Sequence, residues 1–399
     1  MSREGVVYWA AAVVLGLTAT AAVGGGDPPP DDQLAPLGKL LFFDKNLSTP
    51  PGQSCAACHA PEVGFTGPDS DINLKTAVYP GAVHTRFGNR KPPSAAYGGP
   101  SPVMYHDESE GLWIGGMFWD GRATGWTLGD PLAEQAQGPF LNALEQNNPN
   151  AKLVCSKVAK SAYAGLFKEL WGAGSLDWKK DIDGTYERIA RSIAAYERSA
   201  EVNRFSSKYD YYLKGQATLT EQEAWGRELF EGKGMCSACH ISAPGPNGEP
   251  PLFTDFTYDN LGIPKNPDNP FYTMPRKWNP EGKKWVDPGL GGFLKGAGYG
   301  PEVYEPEWGK HKVPTLRNVD LRPYPEFVKA FGHNGYFKSL EEITHFYNTR
   351  DVESESWPDP EVKDTINKDE LGNLGLTAEE EAAIVAFMKT LSDGYTPTP

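Results

Sequence analysis

The chain has 399 residues, 39% apolar and 12% aromatic, which exceeds one typical domain and is enough to bury two cores. Its formal net charge is −14 and it carries no Lys/Arg tract. That balance argues against nucleic acid or an anionic membrane surface as partner and favours a basic or neutral one.

The chain opens with Arg3 and an apolar run from Val6 to Val23, closing on Ala19-Thr20-Ala21-Ala22 before a glycine run. This reads as a signal peptide over residues 1–24 that exports the rest to the periplasm. Because Glu4 offsets Arg3, an uncleaved membrane anchor is the alternative. Residues 25–33 are a Pro-rich linker. Leu34 to Phe43 has helical spacing and leads to Cys55-Ala56-Ala57-Cys58-His59. Two thiols three positions apart can form thioethers to one porphyrin, and the adjacent His meets its iron, so this is a c-type haem attachment signature. A redox CxxC or half a zinc site would want a thioredoxin-like pattern or further Cys nearby.

Residues 61–101, rich in Gly, Pro and Asn, predict an ordered loop over that haem. His84 within it is either a second axial ligand that swings away on activation or a surface histidine. Trp113, Phe118 and Trp119 follow, then a loop-helix segment from Leu132 to Glu145 with Glu134 and Gln135. An amphipathic stretch from Lys152 to Trp171 holds Cys155, predicted to be a buried, inert thiol. Helices are predicted at Asp183–Ser199 and Ser206–Leu213.

The capping box Thr220-Glu221-Gln222-Glu223 starts a helix that delivers a second signature, Cys236-Ser237-Ala238-Cys239-His240. Two covalent c-type haems are thus expected. Gly38-Lys39-Leu40-Leu41-Phe42 and Gly226-Arg227-Glu228-Leu229-Phe230 stand ahead of the two signatures and suggest related halves. Residues 241–311 predict a haem cover or a docking surface. Cap patterns at Ser339 and Thr377 start two more helices. Strand signals are few. The expected fold is mostly α, with two cytochrome c-like haem domains (34–205 and 206–393) around an inter-haem interface, long ordered loops and a short tail over 394–399.

With these motifs on the page, the chain resembles the bacterial dihaem cytochrome c peroxidase / MauG family over nearly all of residues 34 to 393. The resemblance rests on residues 37–44, both CxxCH motifs, Phe118-Trp119-Asp120-Gly121-Arg122, Glu134-Gln135-Ala136-Gln137-Gly138-Pro139 and Val313-Pro314-Thr315-Leu316-Arg317-Asn318. It implies a peroxide-reacting haem at His59 and a relay haem at His240. Trp119 is then the bridge between them, the alternative being core packing. The family's distal Gln and Glu match Gln135 and Glu145, although residues 125–131 are an insertion. In that role Glu145 moves a proton and Gln135 orients the peroxide.

The relay haem's distal ligand lies fourteen residues after a loop His, here His333, and falls on Tyr347, as in MauG-like members, where peroxidases carry Met. Met274 and His345 remain competitors. The family's structural Ca²⁺ uses an Asn side chain and loop carbonyls; strict alignment puts Lys91 at the Asn position and a shift brings Asn89 there. Lys offers no oxygen donor.

The expected function is an enzyme that reduces H2O2 with electrons from a small redox protein, a cytochrome c or cupredoxin. The alternative is MauG-like, peroxide-dependent oxidation of side chains in a partner protein. A non-enzymatic dihaem carrier is disfavoured, since Gln135 and Glu145 would have no role. A homodimer is compatible with the sequence.

Overall fold

The computed structural model describes residues 28–397, so the expected signal peptide lies outside the described residues. The chain is mostly helical with little strand. Helix α1 (Asp31–Phe43) starts within the stretch expected to be linker, because Pro30 precedes it and Asp31 and Asp32 fill its first turn, where carboxylates suit the helix dipole. After α2 (Ser70–Lys75) come α3 (Pro131–Leu141), α4 (Ala151–Val158), α5 (Ala164–Trp171) and the long α6 (Ile182–Arg198). The single amphipathic stretch expected from Lys152 to Trp171 is therefore divided, with a break at 159–163. Leu37, Leu41 and Phe42 of α1 meet Ile189, Ile193 and Tyr196 of α6 in a core that includes Val154 and Cys155.

The second core is built from α7 (Lys208–Leu213), α8 (Glu221–Glu231), α11 (Leu340–Thr349) and α12 (Ala378–Lys389). The intervening α9 (Gly289–Gly296) and α10 (Pro301–Tyr304) lie in the long segment after the second signature. Both bonds of the capping box are made at Thr220/Glu223 and at Thr377/Glu380. Two antiparallel pairs complete the described elements: β1 (Tyr105–Asp107) with β2 (Leu112–Ile114), and β3 (Tyr258–Asp259) with β4 (His311–Lys312).

The repeated Gly-x-x-Leu-Phe pattern has the same physical role in both cores. A Cβ on Gly38 would stand 1.8 Å from the Ser192 carbonyl oxygen of α6, and one on Gly226 would stand 1.8 Å from the Ala383 oxygen of α12. Glycine lets each helix pair touch backbone to backbone, while Leu41-Phe42 and Leu229-Phe230 fill the cores beside the contact. Each pair then orients the loop that carries its CxxCH.

Buried polar contacts join the N-terminal and C-terminal parts. Lys329 Nζ donates to Val63 O at 2.9 Å, Asn73 Nδ2 to Val328 O at 2.9 Å, and Tyr97 OH to the Asp393 carboxylate at 2.5 Å. Among the described residues no helix is long and apolar enough to cross a membrane.

Gly38→Ala and Gly226→Ala should each cost about 3 kcal/mol or more, because backbone must move to admit the methyl group. Gly165→Ala, on α5 with nothing within 4 Å, should be neutral or stabilising by up to about 1 kcal/mol. Thermal unfolding of the three haem-loaded variants checks the contrast.

Candidate functional site

Each CxxCH begins with a one-turn 3-10 helix, Cys55–Ala57 and Cys236–Ala238. The turn closes with His59 N–H on Cys55 O (3.0 Å) and His240 N–H on Cys236 O (2.9 Å). The ring nitrogen Nδ1 of His59 lies 3.0 Å from Pro93 O and 3.2 Å from Phe65 O; that of His240 lies 2.8 Å from Phe253 O. These carbonyls accept the Nδ1 proton and so leave Nε2 as the lone pair a metal needs. Burial pushes both imidazoles below the usual histidine range, which keeps them neutral and ligand-ready.

The groups around both motifs fit a haem. A cavity of about 270 Å³ is lined by Cys236, Cys239, His240, Tyr347 and Trp119, with apolar walls that include Ile263, Leu340, Ile384 and Met388. Lys91, Lys312, Arg317 and Lys329 also line it. Burial pushes Lys91 down to about 8 and Lys312 and Lys329 down to about 7. An apolar plate bearing carboxylates suits such walls and cations. At the first motif, the amide nitrogens of Gln53 and Gln146 lie 3.7 and 3.8 Å from the Cys58 and Cys55 sulfurs. The amide oxygens of both, and one carboxyl oxygen of Glu197, are buried without a partner among the described residues. Residues Cys55, Cys58 and His59, and Cys236, Cys239 and His240, would hold the two groups.

Tyr347, on α11, lines the cavity, and its hydroxyl makes no hydrogen bond among the described residues. Burial, reinforced by the nearby Cys239 and Cys236, pushes its phenol well above the usual range. Of its two competitors, Met274 does not line the cavity, and His345 is turned outward, 3.0 Å from Glu381 and 3.3 Å from Glu355. Met117, Met235 and Met388 do line it.

Trp119 is buried in the cavity wall and fixed from two sides. Its indole Nε1 donates to Lys91 O (3.0 Å), and its own carbonyl accepts from Lys312 N (2.8 Å). Lys91 stands two residues before Pro93, whose carbonyl holds His59. A three-residue strap therefore ties the first proximal histidine to the tryptophan beside the second motif.

Glu145 lies in the turn after α3, close enough to Cys58 to raise that thiol. Its carboxyl is itself raised by burial, the Arg122 charge and an Asn142 amide bond of 2.7 Å acting the other way. Gln135 is half-buried on α3 and makes no hydrogen bond to protein among the described residues. Glu134 instead closes the insertion: its carboxylate accepts the N–H groups of Gly125, Thr127 and Leu128 at 2.7–2.8 Å. His84 is exposed on its loop.

Calcium does not fit the place the resemblance assigns it. The Asn89 carbonyl is taken by Asn269 Nδ2 (2.8 Å), and the neighbouring side chain is the half-buried Lys91 ammonium, 3.1 Å from Pro92 O. A second cluster, Asp287, His311 and His333, brings ligand atoms within 4.8 Å of one another. The two rings stack face to face, centroids 3.6 Å apart and planes 8° apart, so no single ion can lie in both ring planes. Arg90 already grips Asp287 through two 2.6 Å bonds and Asp120 through another. This is an ion-pair network; Asp287, His311, Gln53, Gln146 and Glu197 went unnoticed in the sequence, where His333 served only as an anchor for counting. Lys91 left a signal there, as the mismatch at the calcium position.

Comparison with known proteins agrees with this architecture. The family model described as di-haem cytochrome c peroxidase matches residues 32–218. The methylamine utilization protein MauG of Paracoccus denitrificans is 34% identical over 376 residues, covering 91% of this chain and 89% of that protein. A cytochrome-c peroxidase of Denitromonas iodatirespirans is 27% identical over 361 residues, 89% of this chain and 80% of its own. The crystal structure of the diheme peroxidase BthA from Burkholderia thailandensis superposes with a TM-score of 0.76 at 30% identity, over 91% of this chain and 87% of that one. Two haem signatures, their proximal carbonyl bonds and these similarities converge: the chain belongs to the dihaem cytochrome c peroxidase / MauG family and is a dihaem c-type peroxidase.

Proposed function

We propose that this protein, exported to the periplasm, reacts with H2O2 at the haem of His59 and shares the oxidising equivalents through Trp119 with the haem of His240 and Tyr347, to spend them on side chains of a partner protein. The observation that carries this reading is Tyr347, a half-buried phenol in the cavity of the second CxxCH whose hydroxyl has no protein partner among the described residues. A phenol raised by burial becomes a phenolate only beside a strong cation, and a phenolate donor favours high oxidation states over accepting electrons from an ordinary cytochrome. This reverses the order in which the sequence alone ranks the two enzyme readings. Reduction of peroxide by a small redox protein is the second reading, favoured by the relative named cytochrome-c peroxidase.

When bound, the haems supply the redox chemistry by which peroxide takes up two electrons and two protons to give water. The chain's own residues prepare for it. Glu145, whose carboxyl burial raises above the usual carboxylate range, can move a proton between the two oxygens of peroxide, and Gln135 can orient the substrate. His59 and His240 are kept neutral and aimed by the carbonyls of Pro93 and Phe253. Trp119 is held still by Lys91 O and the Lys312 amide, so little reorganisation accompanies charge passing it. We propose residues 34–205 and 206–393 as the two haem domains.

The test mixes fully oxidised protein with stoichiometric H2O2, without reductant, and follows Soret and near-infrared absorption with EPR. Joint loss of both ferric signals with a near-infrared band supports the proposal. A protein inert until one haem is reduced sinks it, and directs attention to His84 and the second reading. Trp119→Phe should slow charge sharing while both haems stay bound, and Tyr347→Phe should alter the spectrum of the second haem alone.

Glu145→Gln should slow the peroxide reaction by about 10²–10⁴-fold. Because the Glu145 carboxyl is raised, its proton persists above the usual carboxylate range. The wild-type rate should therefore fall as pH climbs through that raised value, and the Gln variant should lack this limb in stopped-flow pH profiles.

A further inference from the structure

Between the strap and the C-terminal half lie two lysine amino groups, that of Lys329 buried and that of Lys91 half-buried. Lys329 Nζ donates to the carbonyls of Val63, Asn318 and Leu321, each at 2.9 Å, and is 5% exposed as a residue. Lys91 Nζ reaches one protein oxygen, Pro92 O at 3.1 Å, and stands 5.8 Å from the centre of the Trp119 ring. Neither forms a salt bridge with a carboxylate among the described residues. They line the same cavity, and Lys91 depresses Lys329 by its charge. The backbone of Lys91 is equally constrained, its N–H on His333 O (3.0 Å) and its carbonyl on the Trp119 indole (3.0 Å).

We propose that the Lys91 ammonium, backed by Lys329, is the fixed internal cation beside Trp119 and takes the place where the family resemblance implies calcium, so that this protein neither binds nor needs calcium there. A hard divalent ion takes six to eight oxygen ligands. Here the side chain in position offers a cation instead of an oxygen, and three carbonyls nearby already receive a second ammonium. The Lys91 charge repels a further cation, the more strongly in a poorly solvated interior, and Lys329, pushed down to about 7, adds part of a charge at neutral pH. The built-in cation also has a chemical effect. A positive charge held near the ring stabilises the indole's electrons, so an oxidising equivalent passes Trp119 without settling on it.

The inference rests on the dihaem reading, and the experiment separates the two. Haem-loaded protein is freed of loose metal, its haem content is measured by pyridine haemochrome and its calcium by elemental analysis, and calcium is then titrated calorimetrically. Expected are two haems per chain, no stoichiometric calcium, no heat of binding, and optical and EPR spectra unchanged by EGTA. Lys91→Asn, which puts an amide oxygen in place of the ammonium, should take up one calcium per chain and show a haem spectrum sensitive to EGTA. Wild-type protein holding one calcium whose removal changes the haem spectra would overturn the proposal. So would a Lys91→Asn protein that keeps both haems and ignores calcium. If that variant fails to load haem, the wild-type calcium content decides. Fewer than two haems in the wild type would count against the dihaem reading instead.

Discussion

The site depends on main-chain carbonyls presented by one short strap. Lys91 O receives the Trp119 indole, Pro92 O the Thr66 hydroxyl at 2.7 Å, and Pro93 O the His59 ring. Two consecutive prolines restrict the backbone and have no N–H to satisfy, so the segment works as a rigid row of acceptors. Its position is secured from outside by Arg90, whose guanidinium joins Asp120 to Asp287, and by the Lys91 amide on His333. The tryptophan and the first proximal histidine are thus set relative to each other by two residues of covalent chain.

What the sequence could disclose follows from how local each interaction is. The CxxCH turns, the Thr220 and Thr377 capping boxes and the paired glycines are short-range patterns, and the structure places them as expected. Element ends were less legible: α1 gains a turn from Asp31 and Asp32, and the stretch after Lys152 breaks into α4 and α5. Partners far apart in the chain leave no local mark. Arg90 and Asp287 are 197 residues apart, and His311 stacks on His333 from a different segment. The spacing from His333 pointed to Tyr347 in the sequence, and of Tyr347, Met274 and His345 the structure places only Tyr347 in the cavity wall.

Positive groups gather at the cavity although acidic side chains such as Asp210, Asp287 and Glu197 are buried as well. A chain of net charge −14 gathers Lys91, Lys312, Lys329 and Arg317 around its cavity. Burying these groups opposes folding, and Arg317 is compensated by two bonds of 2.9 and 3.0 Å to Asp210. The lysines instead hold carbonyl oxygens, Lys312 reaching Gly115 O at 3.0 Å and Phe256 O at 3.2 Å. Positive groups lining the cavity suit a protein that binds an anionic prosthetic group there.

Cys155 is the one thiol outside the two signatures, fully buried in the α4–α6 core, with burial pushing it up to about 12. Four other cysteines belong to the haem signatures, and any accessible fifth sulfur could exchange with them. A thiol with almost no thiolate and no route to solvent is removed from that exchange. In the folded chain the surplus sulfur is thus sequestered by packing rather than by a partner of its own.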